Sequence, residues 1–340
     1  MPGTTRPTLR WSLALSALLG VVIITAVGVG PVPIAPATTV AVLGSLIGVV
    51  DATPLAPSAL LIIAEIRLPR VLLAGLVGVA LATAGAVMQG FFRNPLADPS
   101  IIGVSSGAAV GAVAVIVLGV SLPGGLGLQT AAFTSAVTTG FIVYLIAHRG
   151  GRTPVATLLL AGVAVQAFLG ALISFMTLLS GWDMRRVLYW LMGHLGGTTW
   201  DDLSVIAAVV PVLLIATYLH AHALNVLTLG ESSAQAVGIA VERTKRRLLI
   251  LASVLTAVAV AVTGVIGFVG LIVPHGMRLV VGADHRILLP TSALAGASFL
   301  IIADAIARSA AAELPVGIVT AAVGAPFFLY LLRREGAVDL

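Results

Sequence analysis

The chain has 340 residues, of which 59% are hydrophobic and 9% charged, with a net charge of +5 and no cysteine. A water-soluble domain carries roughly a quarter of its residues as charges, so this surface is built to meet lipid. The missing cysteines exclude disulfides, thiolate metal sites and cysteine nucleophiles, and the scattered Lys and Arg, without interleaved aromatics, argue against nucleic acid as a partner.

Apolar stretches of about 20 residues without period-two alternation predict membrane-spanning helices rather than a barrel. The first covers about 11–33. It is too long for a signal-peptide core, and Pro31-Val32-Pro33 follows it in place of a small-residue cleavage site, so it is read as a retained span. Further spans are expected near 69–90, 100–120, 125–147, 155–180 and 198–222, then 246–265, 267–282, 288–308 and 315–333. The eighth is short and contains Pro274, which predicts a tilted or re-entrant segment. Gly75, Gly78, Gly85, Gly103 and Gly107 lie inside spans, where small residues allow close helix approach. The expected fold is an all-α polytopic membrane protein of about ten transmembrane helices with both termini cytoplasmic. It forms one transmembrane domain over 1–340.

Charge supports this layout. With the N-terminus inside, thirteen of the 18 Lys and Arg fall on the cytoplasmic side. Arg67, Arg70, Arg185, Arg186 and Arg308 fall outside, in agreement with the positive-inside rule.

Residues 225–247, between spans six and seven, form the longest polar insert. Its middle reads as a short helix that ends at Gly238, a natural residue for a left-handed helix exit. Glu231 then lies in the first turn, where the helix dipole favours a carboxylate. Arg243, Lys245, Arg246 and Arg247 mark the return to the membrane. The small-residue face of Ser233, Ala234 and Ala236 suits docking into a groove on a second protein.

Enzyme chemistry finds no support. Asp304 is the main carboxylate inside a span, and no Ser/His/Asp spacing or His-Glu-x-x-His helix occurs. An ion-coupled secondary transporter is the rival class, but such proteins carry ionisable groups at the bilayer midplane, which is nearly uncharged here. The sequence also has no Gly-x-x-x-x-Gly-Lys-Ser/Thr phosphate loop. Any coupling to ATP must come from a partner.

A series of motifs then appears in order along the chain. They are Arg67-Leu-Pro-Arg70, Gly85-Ala-Val-Met-Gln89-Gly90, Asn94-Pro-Leu-Ala-Asp-Pro99, Gly103-Val-Ser-Ser-Gly107, Leu160-Ala-Gly-Val163 and Gly230-Glu231 with Gly238. Gly267-Phe-Val-Gly-Leu-Ile-Val-Pro-His275, Asp284-His-Arg286, Glu313-Leu-Pro-Val-Gly317 and Gly324-Ala-Pro326 complete the set. Over about residues 60–334 the chain resembles the FecCD-type permeases of type II ABC importers, which serve ferric siderophores, haem and cobalamin.

The resemblance implies a homodimer in the bacterial inner membrane, joined by two cytoplasmic ATPase subunits and a periplasmic or lipid-anchored substrate-binding protein. ATP and Mg then belong to the partner, and this subunit holds no cofactor, metal or catalytic residue. Residues 225–247 become the coupling segment, with Gly230, Glu231, Ala234 and Gly238 as its contacts. Arg67, Arg70 and Arg308 become docking residues for the binding protein, and Arg308 also stands four residues after Asp304, the spacing of a helical ion pair. Val155, Ala156 and Thr157 occupy the cytoplasmic gate, where only Thr157 keeps the hydroxyl that relatives often carry. Of the histidines, His148, His220, His222 and His285 sit on the cytoplasmic side and His275 belongs to a family motif. That leaves Met192 and His194 as pathway contacts. The apolar gate favours an iron chelate, haem ahead of ferric siderophore, with cobalamin as the alternative.

Overall fold

The computed structural model describes residues 5–51, 55–120, 127–310 and 313–335, and among these it is helical with no strand beyond one isolated bridge. The two chain ends, expected inside, lie outside the described residues. The helices are α1 (Thr5–Gly28), α2 (Pro36–Leu46), α3 (Pro57–Leu61), α4 (Leu68–Phe92), α5 (Val104–Leu118), α6 (Gly127–Ala147), α7 (Val155–Leu179) and α8 (Met184–Leu191). They continue with α9 (Trp200–Tyr218), α10 (Ala221–Thr228), α11 (Glu231–Ala236), α12 (Val241–Thr263), α13 (Val269–Val281), α14 (His285–Ser309) and α15 (Val316–Glu335).

Seven stretches are long and apolar enough to cross a bilayer: Leu9–Gly28, Pro57–Phe92, Gly127–Ala147, Val155–Leu179, Trp200–Tyr218, Val241–Thr263 and His285–Ser309. Three other expected spans coincide with shorter apolar helices, α5, α13 and α15. At 1.5 Å per residue α13 is about 20 Å long, less than a hydrocarbon core of about 30 Å. It begins abruptly: α12 stops at Gly264, and Phe268 enters α13 with a φ of 70°. Pro57–Phe92 is the opposite case. A π-helical turn over Ile62–Arg67 joins α3 to α4, so 36 residues run on as one apolar helix, well beyond the expected 69–90.

α4 is the axis of the bundle, with α9, α12, α13 and α14 packed around it. Its burial follows from its glycines. A Cβ on Gly78 would stand 2.2 Å from the Gly296 carbonyl oxygen on α14, and one on Gly85 would stand 1.8 Å from the Gly270 oxygen on α13. Backbones therefore touch, as small-residue packing in lipid requires. α1, α6, α7 and α9 leave most of their surface uncovered by the chain, and α7 exposes Leu160, Val163, Phe168, Phe175 and Leu178.

Several family motifs prove to be helix junctions. After α4, Arg93 turns left-handed at φ 51°, and the Asn94 Oδ1 accepts the Leu96 N–H at 2.9 Å. Asp98 caps the 3₁₀ turn Pro99–Ile102 through the Ser100 N–H at 2.8 Å, and the Gln166 amide of α7 donates to the Ile101 carbonyl at 2.7 Å. Gln89 spans to α13 by donating to the Leu271 carbonyl at 2.9 Å, and its oxygen accepts from Arg278 at 3.2 Å.

Candidate functional site

The chemistry gathers at the two ends of the bundle. α11 stands where α4 finishes, because Gly90 of α4 packs against Leu224 of α10. The Arg67–Arg70 end of α4 is thus opposite, together with the end of α12 and the end of α14.

α11 is a six-residue helix between two left-handed glycines, Gly230 (φ 116°) and Gly238 (φ 82°). At its exit the Gly238 N–H bonds to Gln235 O and the Ile239 N–H to Ala234 O, both at 3.0 Å, which is a Schellman motif. So short a helix has no stability of its own. Ala234, fully buried, packs it against the bundle, whereas Ser232, Ser233, Gln235 and Ala236 face outward. Glu231 turns inward at its Oε1 to meet Lys245 of α12 at 3.0 Å. Lys245, expected among four membrane-return cations, is 5% exposed, while Arg243, Arg246 and Arg247 are exposed.

α10 anchors this segment to the start of α14, a role the sequence did not single out. The Asn225 amide donates to Asp284 at 2.6 Å, and its oxygen accepts the His285 N–H at 2.8 Å. Burial pushes the Asp284 carboxyl up. The Arg286 N–H, the Asn225 amide and the Arg286 charge outweigh that effect and hold it below the usual carboxylate range. Arg286 in turn meets His222 at 3.0 Å.

Val155, Ala156 and Thr157 form the first turn of α7, with Pro154 as N-cap. A tight turn at Gly150-Gly151, both at positive φ, folds the preceding segment back so that Arg149 and Arg152 exchange backbone hydrogen bonds at 2.9 and 3.1 Å. Ala156 is exposed, and Val155 and Thr157 are half-buried.

At the other end the three docking candidates come together but turn inward. Arg67 is 4% exposed and donates to the carbonyls of Val27 and Gly28 at 3.2 and 2.8 Å and to that of Val32. It caps α1, whose final carbonyls lack helical partners. Arg70 grips the fully buried Asp304 at 2.8 and 2.9 Å and also pairs with Glu313. Arg308 approaches Asp304 at 3.4 Å, the expected four-residue pair, and donates to the Ala26 carbonyl at 2.5 Å. The charges of these arginines are therefore engaged by internal partners. The exposed cations on this end are Arg185 and Arg186 of α8, a helix missing from the predicted spans.

α8 borders a cavity of about 550 Å³ lined by Trp182, Arg185, Arg186, Tyr189, Trp190 and His194, among others. His194 donates its backbone N–H to Thr263 O at 2.7 Å, and its ring lies 5.1 Å from that of Tyr189. Burial and the nearby Arg70 charge hold its imidazole below the usual value despite Glu313. Met192, half-exposed, ends α8 beside it, and its carbonyl leaves no room for a side chain at Gly317 of α15. No cluster of three metal-ligating side chains occurs among the described residues.

A helical bundle with seven stretches long and apolar enough to cross a bilayer, and a small helix presented at one end, is the architecture of a membrane-embedded subunit. The FecCD transport family model matches residues 17–334, and the chain belongs to that family. It is similar to the cobalamin import system permease of Halobacterium salinarum, with 57% identity over 81% of this chain and 74% of that protein. It is also similar to the hemin transport system permease of Yersinia pestis, with 46% identity over 80% of this chain and 83% of the other. A solved inward-facing conformation of a metal-chelate type ABC transporter superposes with a TM-score of 0.81 at 32% identity, covering 95% of this chain and 98% of that one. The chain is therefore a multi-pass subunit of a type II ABC importer in the inner (plasma) membrane, and ATP is hydrolysed by separate subunits.

Proposed function

We propose that this permease carries a metal tetrapyrrole, cobalamin in the first instance, inward by alternating access. The observation that carries the reading is the 57% identity to a permease named for cobalamin. Haem is the second reading, supported by the vestibule beside α8, where aromatic rings and two exposed arginines suit a flat macrocycle with acidic substituents and the His194 imidazole stands near. Uptake of cyanocobalamin, hemin and a ferric siderophore by the reconstituted importer tests this. Cyanocobalamin should accumulate most, and selective accumulation of the siderophore would overturn the reading.

The working assembly is two copies of this chain, two ATPase subunits below and a binding protein above. Ten crossings are the seven long apolar helices with α5, α13 and α15. All of 1–340 acts as one permease domain whose coupling segment is 225–247. Gly230 and Gly238 shape α11, Ala234 seats it, and Glu231 ties it down, leaving its outer face to the ATPase. Closure of the ATPase pair moves α11, and the motion reaches the gate at Val155, Ala156 and Thr157. Met192 and His194 contact the passing cargo. At the outer end Arg70 is backed by Arg67 and Arg308, which hold α1 and α14 in place, and Arg185 and Arg186 supply free positive charge to the binding protein.

A further inference from the structure

Lys245 sits where three pieces of chain meet. Its Nζ donates to Glu231 of α11 at 3.0 Å, to Glu242 of its own helix at 3.2 Å, and to the backbone carbonyl of Thr153 at 2.6 Å. Glu242 closes the ring by accepting the Thr153 N–H at 3.1 Å. The Thr153 hydroxyl meets His148 at 3.0 Å, so every polar group of this buried residue is held. Thr153 is followed by Pro154, the N-cap of α7, with its ring-restricted φ of −63°. Only one stiff residue therefore separates the ring from Val155, where the gate begins.

We propose that Lys245 is a positioning residue, a latch that fastens α11 to the start of α7 so that the two move as one body. This rests on the coupling reading given above. α11 has little else to transmit a push. It is too short to be rigid alone, and Ala234 is its one buried side chain. The ammonium is the buried partner, with a side chain 6% exposed against 42% for Glu231 and 30% for Glu242, so its three charge-assisted hydrogen bonds hold the junction together more than any single ion pair does. Without the ammonium, two carboxylates and a carbonyl would converge with nothing to join them. The force on α11 would then bend its flanking glycines instead of reaching α7.

The absence of cysteine makes the test clean. Spin labels on Leu160→Cys of α7 and Val237→Cys at the end of α11, both exposed positions, report the separation of α7 and α11 by dipolar spectroscopy, and transport is measured on the unlabelled protein. With Lys245 in place, one narrow distance within the subunit should persist in nucleotide-free and ATP-trapped complexes in nanodiscs, with the labelled chain diluted into unlabelled permease. Lys245→Met should broaden it. Coupling between sites is typically worth about 5–150-fold, so transport of cyanocobalamin or hemin per ATP hydrolysed should fall about tenfold while hydrolysis continues. Lys245→Arg should restore both in part, which a merely destabilising change would not allow. A narrow distance and an unchanged ratio in Lys245→Met would overturn the latch. Should that variant fail to assemble, Glu231→Leu, which removes the acceptor that Lys245 holds on α11, is read in the same way, and an unbroadened distance there overturns it too. Failure to copurify with any ATPase subunit would instead count against the coupling reading, and the distance measured on the permease alone still decides the latch.

Discussion

Asp304 offers the sharpest test of the outer charge cluster. Its side chain is fully buried, and it accepts two arms of Arg70 while standing 3.4 Å from Arg308, which is itself 3% exposed. Asp304→Asn keeps the shape and removes the charge, leaving two guanidinium groups facing each other in a dry site. Removing one partner of a buried ion pair costs about 3–5 kcal/mol, and two dependent cations place the expected loss at the upper end. Glu313 shares Arg70, but its side chain is 45% exposed, so Glu313→Gln should cost no more than about 1 kcal/mol. The assay is reversible unfolding of the purified permease in mixed micelles, with free energies compared at one detergent composition. The double variant Arg70→Met with Asp304→Leu should recover part of the loss, because apolar replacement of a buried pair is often neutral. A loss below about 1 kcal/mol for Asp304→Asn would refute the view that these charges are bound internally.

Gly85→Ala should prevent proper assembly, since its methyl would meet the Gly270 backbone at 1.8 Å, while Gly20→Ala, with open space around it, should be silent. Size-exclusion profiles of tagged variants distinguish the two. Charge reversal of Arg185 and Arg186 together should weaken binding-protein docking and make the residual affinity less salt-sensitive. Arg67→Glu should instead lower stability, and a surface-binding measurement beside a melting curve separates these outcomes. Asp284 has a lowered folded-state pKa, so its stabilising contribution is complete above the unfolded carboxylate value of about 3.9 and fades as pH falls through the folded value. Asp284→Asn should therefore destabilise at neutral pH, and the gap to the parent should narrow below about pH 4; a gap independent of pH would contradict the assignment.

Membrane class, helical fold and family were legible because they depend on long apolar runs and on distinct motifs spread over most of the chain. The short helix at Glu231–Ala236 was equally readable, since Gly238 signals a left-handed exit that other residues resist and Glu231 suits a first turn. Side-chain direction was not. Arg67 and Arg308 read as outward cations because a helix end near the membrane surface usually lets arginine reach water. Here the carbonyls of Ala26, Val27 and Gly28 at the end of α1 draw them inward, and those partners lie as much as 282 residues away in sequence. Lys245 was hidden among three other cations for the same reason. Only the fold places Thr153 and Glu231 against it. α8 escaped notice because an eight-residue helix with Arg185, Arg186 and three aromatic neighbours is too short and too polar to register as a span.

This chain should move cargo only when a partner hydrolyses ATP. Proteoliposomes holding the permease with its ATPase subunits, supplied with cargo-loaded binding protein, test it directly. Uptake of cyanocobalamin should require ATP, stop with vanadate, and be absent when the permease is reconstituted alone under a proton or sodium gradient. Gradient-driven uptake by the permease alone would contradict it.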